Sequence, residues 1–285
     1  MKKKFFIRLL SVMALTGILI TFSSCESESE TIELGYVLWD SEIASTHVVA
    51  AVLEDRLDKE VSLTAVDAGP MWLGVARGDF DAIVAAWLPV THSAYLEQTR
   101  DEVINLGPNL QGARLGWVVP EYVTLNSIEE LNDYADRFNG EITGIDPGAG
   151  LMAASERVLD DYNLDNFRLV SGSDAAMTAA LRRAIEREEW IAVTGWTPHW
   201  KFAAFDLKYL EDPLQTLGEE EHIATIVHPD LQSKDQQVFE FLDNFFWTSD
   251  QMAEVMILIQ DGMEPMDAAR QWIEENPETV DSWLE

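Results

Sequence analysis

From Ile32 the chain alternates short strand-like runs with helical stretches, and the alternation halts near Pro120 and then starts afresh. Strands alternating with helices predict α/β sheets. In the first run, Ile32 to Leu38 reads as a strand, and Glu42 to Leu57 as a helix that Asp40 or Ser41 can cap. Val61 to Val66 is a second strand, Gly69 to Arg77 a short helix, and Phe80 to Ala85 a third strand ending at Trp87. Leu115 to Val119 leads into Pro120 as a crossover. Beyond it, Ser127-Ile128-Glu129-Glu130 is a capping box that opens a helix. Strands are predicted over Glu141 to Ile145, Phe167 to Val170 and Trp190 to Thr194, the last ending at Trp196, with helices over Leu151 to Tyr162 and Asp174 to Arg187. Ile223 to Val227 reads as a strand that returns to the first body, followed by helices over Val238 to Phe246, Ser249 to Ile259 and Glu264 to Glu275. Two such runs, joined by a crossover and a return, predict two lobes with a cleft: residues 32–118 with 222–285, and residues 119–221.

The leading segment decides the compartment. Lys2, Lys3 and Lys4 precede an apolar run of 14 residues, Leu9 to Phe22. A bilayer span needs about 20 residues, so this run fits the h-region of a signal peptide over residues 1–24. It ends in Phe22-Ser23-Ser24-Cys25, and Cys25 is the one cysteine of the chain. Residues 25–31 then form a polar, acidic spacer. A fold without further thiols has no disulfide and stands on burial alone. The net charge of −32 becomes −36 once the four positive charges of Lys2, Lys3, Lys4 and Arg8 leave with the signal. Phosphate backbones would be repelled, so nucleic acid is excluded as a partner.

Three of the ten tryptophans share one placement. Trp39, Trp87 and Trp196 each follow the carboxyl end of a predicted strand, which is where open α/β sheets bind ligands. Two belong to the first lobe and one to the second, so closure of the cleft can bring them together. Indole faces are the best aromatic partners for a cation, at roughly 0.5–2 kcal/mol depending on desolvation. A quaternary ammonium has no N–H to donate, and a cage of aromatic faces is the receptor its chemistry allows. Trp117, Trp190, Trp272 and Trp283 are expected to fill cores instead; Trp72, Trp200 and Trp247 lean the same way.

The turn Asp146-Pro147-Gly148-Ala149-Gly150 runs into the helix beginning near Leu151. Glycines permit close backbone approach, and free N–H groups at the helix start suit an anion such as a carboxylate. His92, five residues past Trp87, could donate a second hydrogen bond to that carboxylate or could equally be a hinge histidine. His47, His199, His222 and His228 show no metal-ligand spacing, so no metal is expected. There is no Gly-x-Ser-x-Gly elbow for an exported hydrolase, and neither catalysis nor a cofactor is expected.

Several long segments together resemble the OpuAC-type glycine betaine-binding proteins of ABC importers. These are Tyr36 to Thr46, Ala68 to Trp72, Ala86 to Pro89 with Thr91-His92, Gly144 to Met152, Ala175 to Ala179, and Thr194 to Trp200. The resemblance spans about Ile32 to Trp283. It implies a bilobed, periplasmic-binding-protein-like (type II) α/β fold, lipidation of Cys25, and anchorage on the outer face of the cell membrane beside ABC permease subunits. It also implies a three-tryptophan cage at Trp39, Trp87 and Trp196, with His92 and the backbone amides of Gly150 and Leu151 on the betaine carboxylate. Proline betaine, choline and carnitine remain alternative ligands.

Overall fold

The computed structural model describes residues 31–285; the signal segment and Cys25 lie outside them. The first lobe begins β1 (Ile32–Tyr36), α1 (Asp40–Leu57), β2 (Val61–Ala65), α2 (Ala68–Arg77), β3 (Ala82–Leu88) and α3 (Ser93–Thr99). A long strand, β4 (Ile104–Pro120), then leads through a 3-10 helix at Ile128–Phe138 into the second lobe. That lobe holds β5 (Glu141–Thr143), α4 (Gly150–Asp161), β6 (Arg168–Val170), α5 (Asp174–Glu186), β7 (Val193–Thr197), α6 (Lys201–Ala204) and β8 (Leu207–Tyr209). β9 (Glu221–Val227) returns, and α7 (Leu231–Lys234), α8 (Gln236–Asn244), α9 (Ser249–Gln260), α10 (Pro265–Glu275) and α11 (Pro277–Trp283) pack on the first lobe.

The strands run in the order β2-β1-β3-β9-β4-β7-β5-β6, with β8 added to β4. β1 is parallel to β2 and β3, whereas β9 is antiparallel to both β3 and β4. β4 connects the two lobes. It pairs with β9 as far as Ala113↔Glu221 and with β7 from Arg114↔Thr197 onward. The change of partner thus falls at Ala113/Arg114, earlier than the boundary after residue 118 expected from sequence. Register shifts accompany the change, and Gly112 supplies the positive φ of 76° required there.

Local sequence explains the main elements. Every residue of β3 is buried, as suits a central strand covered on both faces, and it therefore reads as one apolar run rather than an alternation. α1 is buried nearly all round, from Ser41 to Leu53, because it is packed between the sheet, α9 and α10. The expected cap of α1 is corrected: Trp39 is the N-cap residue, and Asp40 and Ser41 lie inside the helix without capping it. Their side chains instead accept hydrogen bonds from Trp200 and Trp196 of the other lobe. The capping box at Ser127 and Glu130 is present, though the helix it opens is 3-10. Among the described residues no helix is long and apolar enough to cross a membrane.

Candidate functional site

The three strand-end tryptophans meet. Trp39 stands where β1 gives way to α1, while Trp87 and Trp196 are the penultimate residues of β3 and β7 rather than residues beyond the strands. All three line one pocket, together with Thr91, Ile145 and Leu151, and the closed lobes leave only about 10 Å³ free within it. The rings of Trp39 and Trp196 lie 6.2 Å apart, centroid to centroid, at 54°.

Each cage indole has its polar edge satisfied by a group that does not line the space. Trp39 Nε1 donates to Asp146 Oδ2 at 2.7 Å, Trp87 Nε1 to Glu42 Oε1 at 2.8 Å, and Trp196 Nε1 to Ser41 Oγ at 3.1 Å. What the rings offer one another is therefore apolar surface and π electrons. A space walled in that way suits a compact cation without hydrogen-bond donors.

The two lobes are closed on each other. Besides Trp39–Asp146 and Trp196–Ser41, the amide of Asp40 donates to Asp174 Oδ2 at 3.0 Å and Tyr95 Oη donates to the carbonyl of Gly148 at 2.8 Å. Gly150 shows how close the approach is. A Cβ there would lie 2.3 Å from the carbonyl oxygen of Thr91 and 2.6 Å from its Cγ2, so only glycine lets these backbones meet.

Gly150 also begins α4. Met152 and Ala153 donate to the carbonyl of Ala149, whereas the amides of Gly150 and Leu151 have no acceptor among the described residues. Two unpaired N–H groups at the positive end of a helix, with Leu151 on the wall of the pocket, have the geometry that could accept an anionic oxygen.

His92 is fully buried beside the cage, its ring 6.1 Å from that of Trp39. Its Nδ1 accepts from the Trp87 amide at 3.1 Å and from Trp72 Nε1 at 3.4 Å. The proton of the neutral ring therefore sits on Nε2, which has no partner among the described residues. Burial pushes the His92 pKa down to about 3, so the ring is neutral at physiological pH.

Sequence reasoning passed over a polar layer around these rings. Asp40, Asp174 and His199 place ligand atoms within 4.8 Å of one another, a geometry that could hold a cation. Lys201 already brings a positive charge to this layer. It is fully buried, its Nζ lies 4.1 Å from the Trp196 ring centroid, and burial pushes its pKa down to about 7. Asp40 is pushed up to about 6, by burial first and then by Asp174. The one sequence signal for this layer was the polar triple Asp40-Ser41-Glu42 at the start of a largely buried helix.

Fold and site together define a two-lobed receptor that closes around a small solute. The chain belongs to the OpuAC family, the substrate binding domain of ABC-type glycine betaine transport systems, whose description matches residues 30–275. It is similar to lactococcal OpuAC in its closed-liganded conformation complexed with glycine betaine, at 44% identity, with 90% of this chain and 99% of that chain covered and a TM-score of 0.86. The glycine betaine/L-proline-binding protein ProX of Borrelia burgdorferi is 32% identical, with coverage of 90% and 97% and a TM-score of 0.86. Among curated relatives, the glycine betaine/carnitine transport binding protein GbuC of Listeria monocytogenes is 44% identical over 164 residues. That match spans 57% of this chain and 55% of GbuC, so it covers about half of the relative's length.

Proposed function

We propose that this protein captures glycine betaine outside the cytoplasmic membrane and presents it to the permease of an ABC importer. On this reading the protein is tethered through a lipidated Cys25. The observation that carries it is the meeting of three indoles, two from one lobe and one from the other, around one space whose edge bears the unpaired amides of Gly150 and Leu151. A zwitterion with a trimethylammonium at one end and a carboxylate at the other satisfies both halves. Lactococcal OpuAC, which is complexed with glycine betaine in its closed form, lends support across nearly its whole length.

Binding then proceeds by closure. The first lobe contributes Trp39, Trp87 and the Nε2–H of His92, and the second contributes Trp196 and the amides of Gly150 and Leu151. Because each lobe holds part of the site, ligand binds the closed form better than the open one, and that difference draws the equilibrium toward closure. Cation–π attraction, up to about 2 kcal/mol per desolvated face, holds the methylated head. Charge-assisted N–H bonds hold the carboxylate. Thr91 carries the one hydroxyl among the residues lining the space, and its Oγ1 is engaged by Glu221 at 2.9 Å, which suits binding rather than turnover.

Calorimetric titration with glycine betaine, proline betaine, carnitine and choline tests the assignment. Saturable betaine binding is expected, with His92→Ala weakening betaine more than choline, since choline has no carboxylate. Lack of saturation by every quaternary amine at millimolar concentration would refute the receptor reading. Carnitine is the second candidate, because GbuC is named for both compounds.

A further inference from the structure

One buried group near the cage has no explanation in its own surroundings. Glu42 is in the first turn of α1 and has no exposed surface. Its Oε1 accepts from Trp87 Nε1 at 2.8 Å and more loosely from Ser41 Oγ at 3.4 Å. Its Oε2 has no hydrogen-bond partner, and none of the ion pairs among the described residues includes it. A carboxylate withdrawn from water without a cation is strongly disfavoured and shifts toward its protonated form, so the ionised form of Glu42 calls for a positive charge that no ion pair among the described residues supplies. Favourable contact with the helix dipole does not account for it, since an exposed first-turn acid would serve as well.

This carboxyl lies directly behind a wall of the proposed cation site, on the Trp87 N–H. An indole whose N–H is bonded to a carboxylate carries more electron density on its ring, and the face of that ring is a better seat for a positive charge. A quaternary ammonium in front of Trp87 would thus favour the ionised form of Glu42 and supply the positive charge it lacks.

We propose that Glu42 is the anionic counterpart of the ligand's quaternary nitrogen, acting through Trp87. It fixes the indole by its N–H and makes the cage prefer a cation over an uncharged group of the same shape. The inference rests on the betaine reading of the cage and adds to it a positioning residue that sets selectivity for charge.

The test compares glycine betaine with 3,3-dimethylbutanoate, in which carbon replaces the charged nitrogen and the shape and carboxylate are kept. Glu42→Gln preserves size and can still accept the Trp87 N–H. Dissociation constants for both compounds are measured in wild type and variant, the weaker by displacement. The ratio of the two constants is expected to shrink on the order of tenfold in Glu42→Gln, chiefly through weaker betaine binding. An unchanged ratio, whether both affinities fall together or neither falls, overturns the proposal, because a group that only holds the ring would not distinguish the two compounds. Trp87→Ala run in parallel separates the two readings: if betaine binding survives it intact, the cage itself is refuted. If Trp87→Ala abolishes binding while the ratio holds in Glu42→Gln, Glu42 alone loses its role. Should Glu42→Gln fail to fold, the wild-type indole proton of Trp87, assigned by its absence in Trp87→Phe, gives the answer. Betaine is expected to move it downfield and the isostere to leave it in place; equal movement or none refutes the role.

Discussion

Two groups of tryptophans, one within the first lobe and one shared between the lobes, use the same side chain in opposite ways. Trp247, Trp272 and Trp283 pack with Phe245 under the C-terminal helices. Trp272 and Trp283 stack at 15°, and Trp247 meets Trp272 edge to face at 78°. These rings pack on one another. Trp39, Trp87 and Trp196 are buried to a similar degree, yet they surround a space instead of filling one. Burial alone therefore does not separate a structural indole from a binding one; what the faces touch does. Their supports differ too. Trp272 Nε1 reaches Glu254, an exposed acid, at 2.8 Å, whereas Trp87 leans on the fully buried Glu42.

The largest effect that separates the groups is expected at Trp272. Trp272→Ala removes a fully enclosed ring and leaves a cavity, at a cost of about 3–5 kcal/mol of folding stability. Denaturant unfolding measures that loss, while the betaine affinity of the folded fraction stays at the wild-type value. A large affinity change with little loss of stability would contradict the division.

Next comes the pH dependence of the ligand-free protein. Burial raises the Glu42 pKa to about 7. Stability linked to a raised carboxyl is fully present below its ordinary range and is lost as pH rises through the folded value. Wild type should therefore lose roughly 2–3 kcal/mol relative to Glu42→Gln between pH 4 and pH 8. Subtracting the two stability curves isolates Glu42 from Asp40 and Lys201, which titrate in both proteins. Parallel curves would show that Glu42 does not titrate in this window.

Much of this contrast was legible in the chain, and the exceptions have physical causes. The strand–helix alternation gave the two lobes, and strand ends pointed to Trp39, Trp87 and Trp196. The length of β4 was hidden because Gly107, Pro108 and Gly112 interrupt its pattern, and only pairing with β9 and β7 holds it extended. β7 was expected from Trp190 but begins at Val193, because its pairing with β4 extends from Val118↔Val193 to Arg114↔Thr197. Asp40 and Ser41 obeyed a local capping rule on paper, whereas partners some 155 residues away claim their side chains. Glu42 and Asp146 could not be singled out, since one acid among 51 acquires meaning only from what it faces.

Smaller effects are expected at the cage. Trp39→Ala, Trp87→Ala and Trp196→Ala should each weaken betaine by at least about 1 kcal/mol, read by titration. Their stability losses should fall below that of Trp272→Ala, because each ring lines the pocket between the lobes. Equal stability losses in both groups would erase the distinction drawn from the faces.

The smallest effect divides the cage within itself. Glu42 and Trp87 belong to the same lobe, but the Trp39–Asp146 bond joins the two lobes, so it can exist only while the cleft is shut. Asp146→Asn keeps an acceptor and removes the charge, and charge-assisted bonds are about twice as strong as neutral ones. The expected loss of betaine affinity is therefore only about 0.5–1 kcal/mol. It should reside in faster dissociation, with association nearly unchanged, because ligand meets the open cleft before this bond forms. The stability of the ligand-free protein should not move. Stopped-flow tryptophan fluorescence separates the two rates, and a slowed association with unaltered dissociation would mean that Asp146 guides entry instead of holding the lobes together.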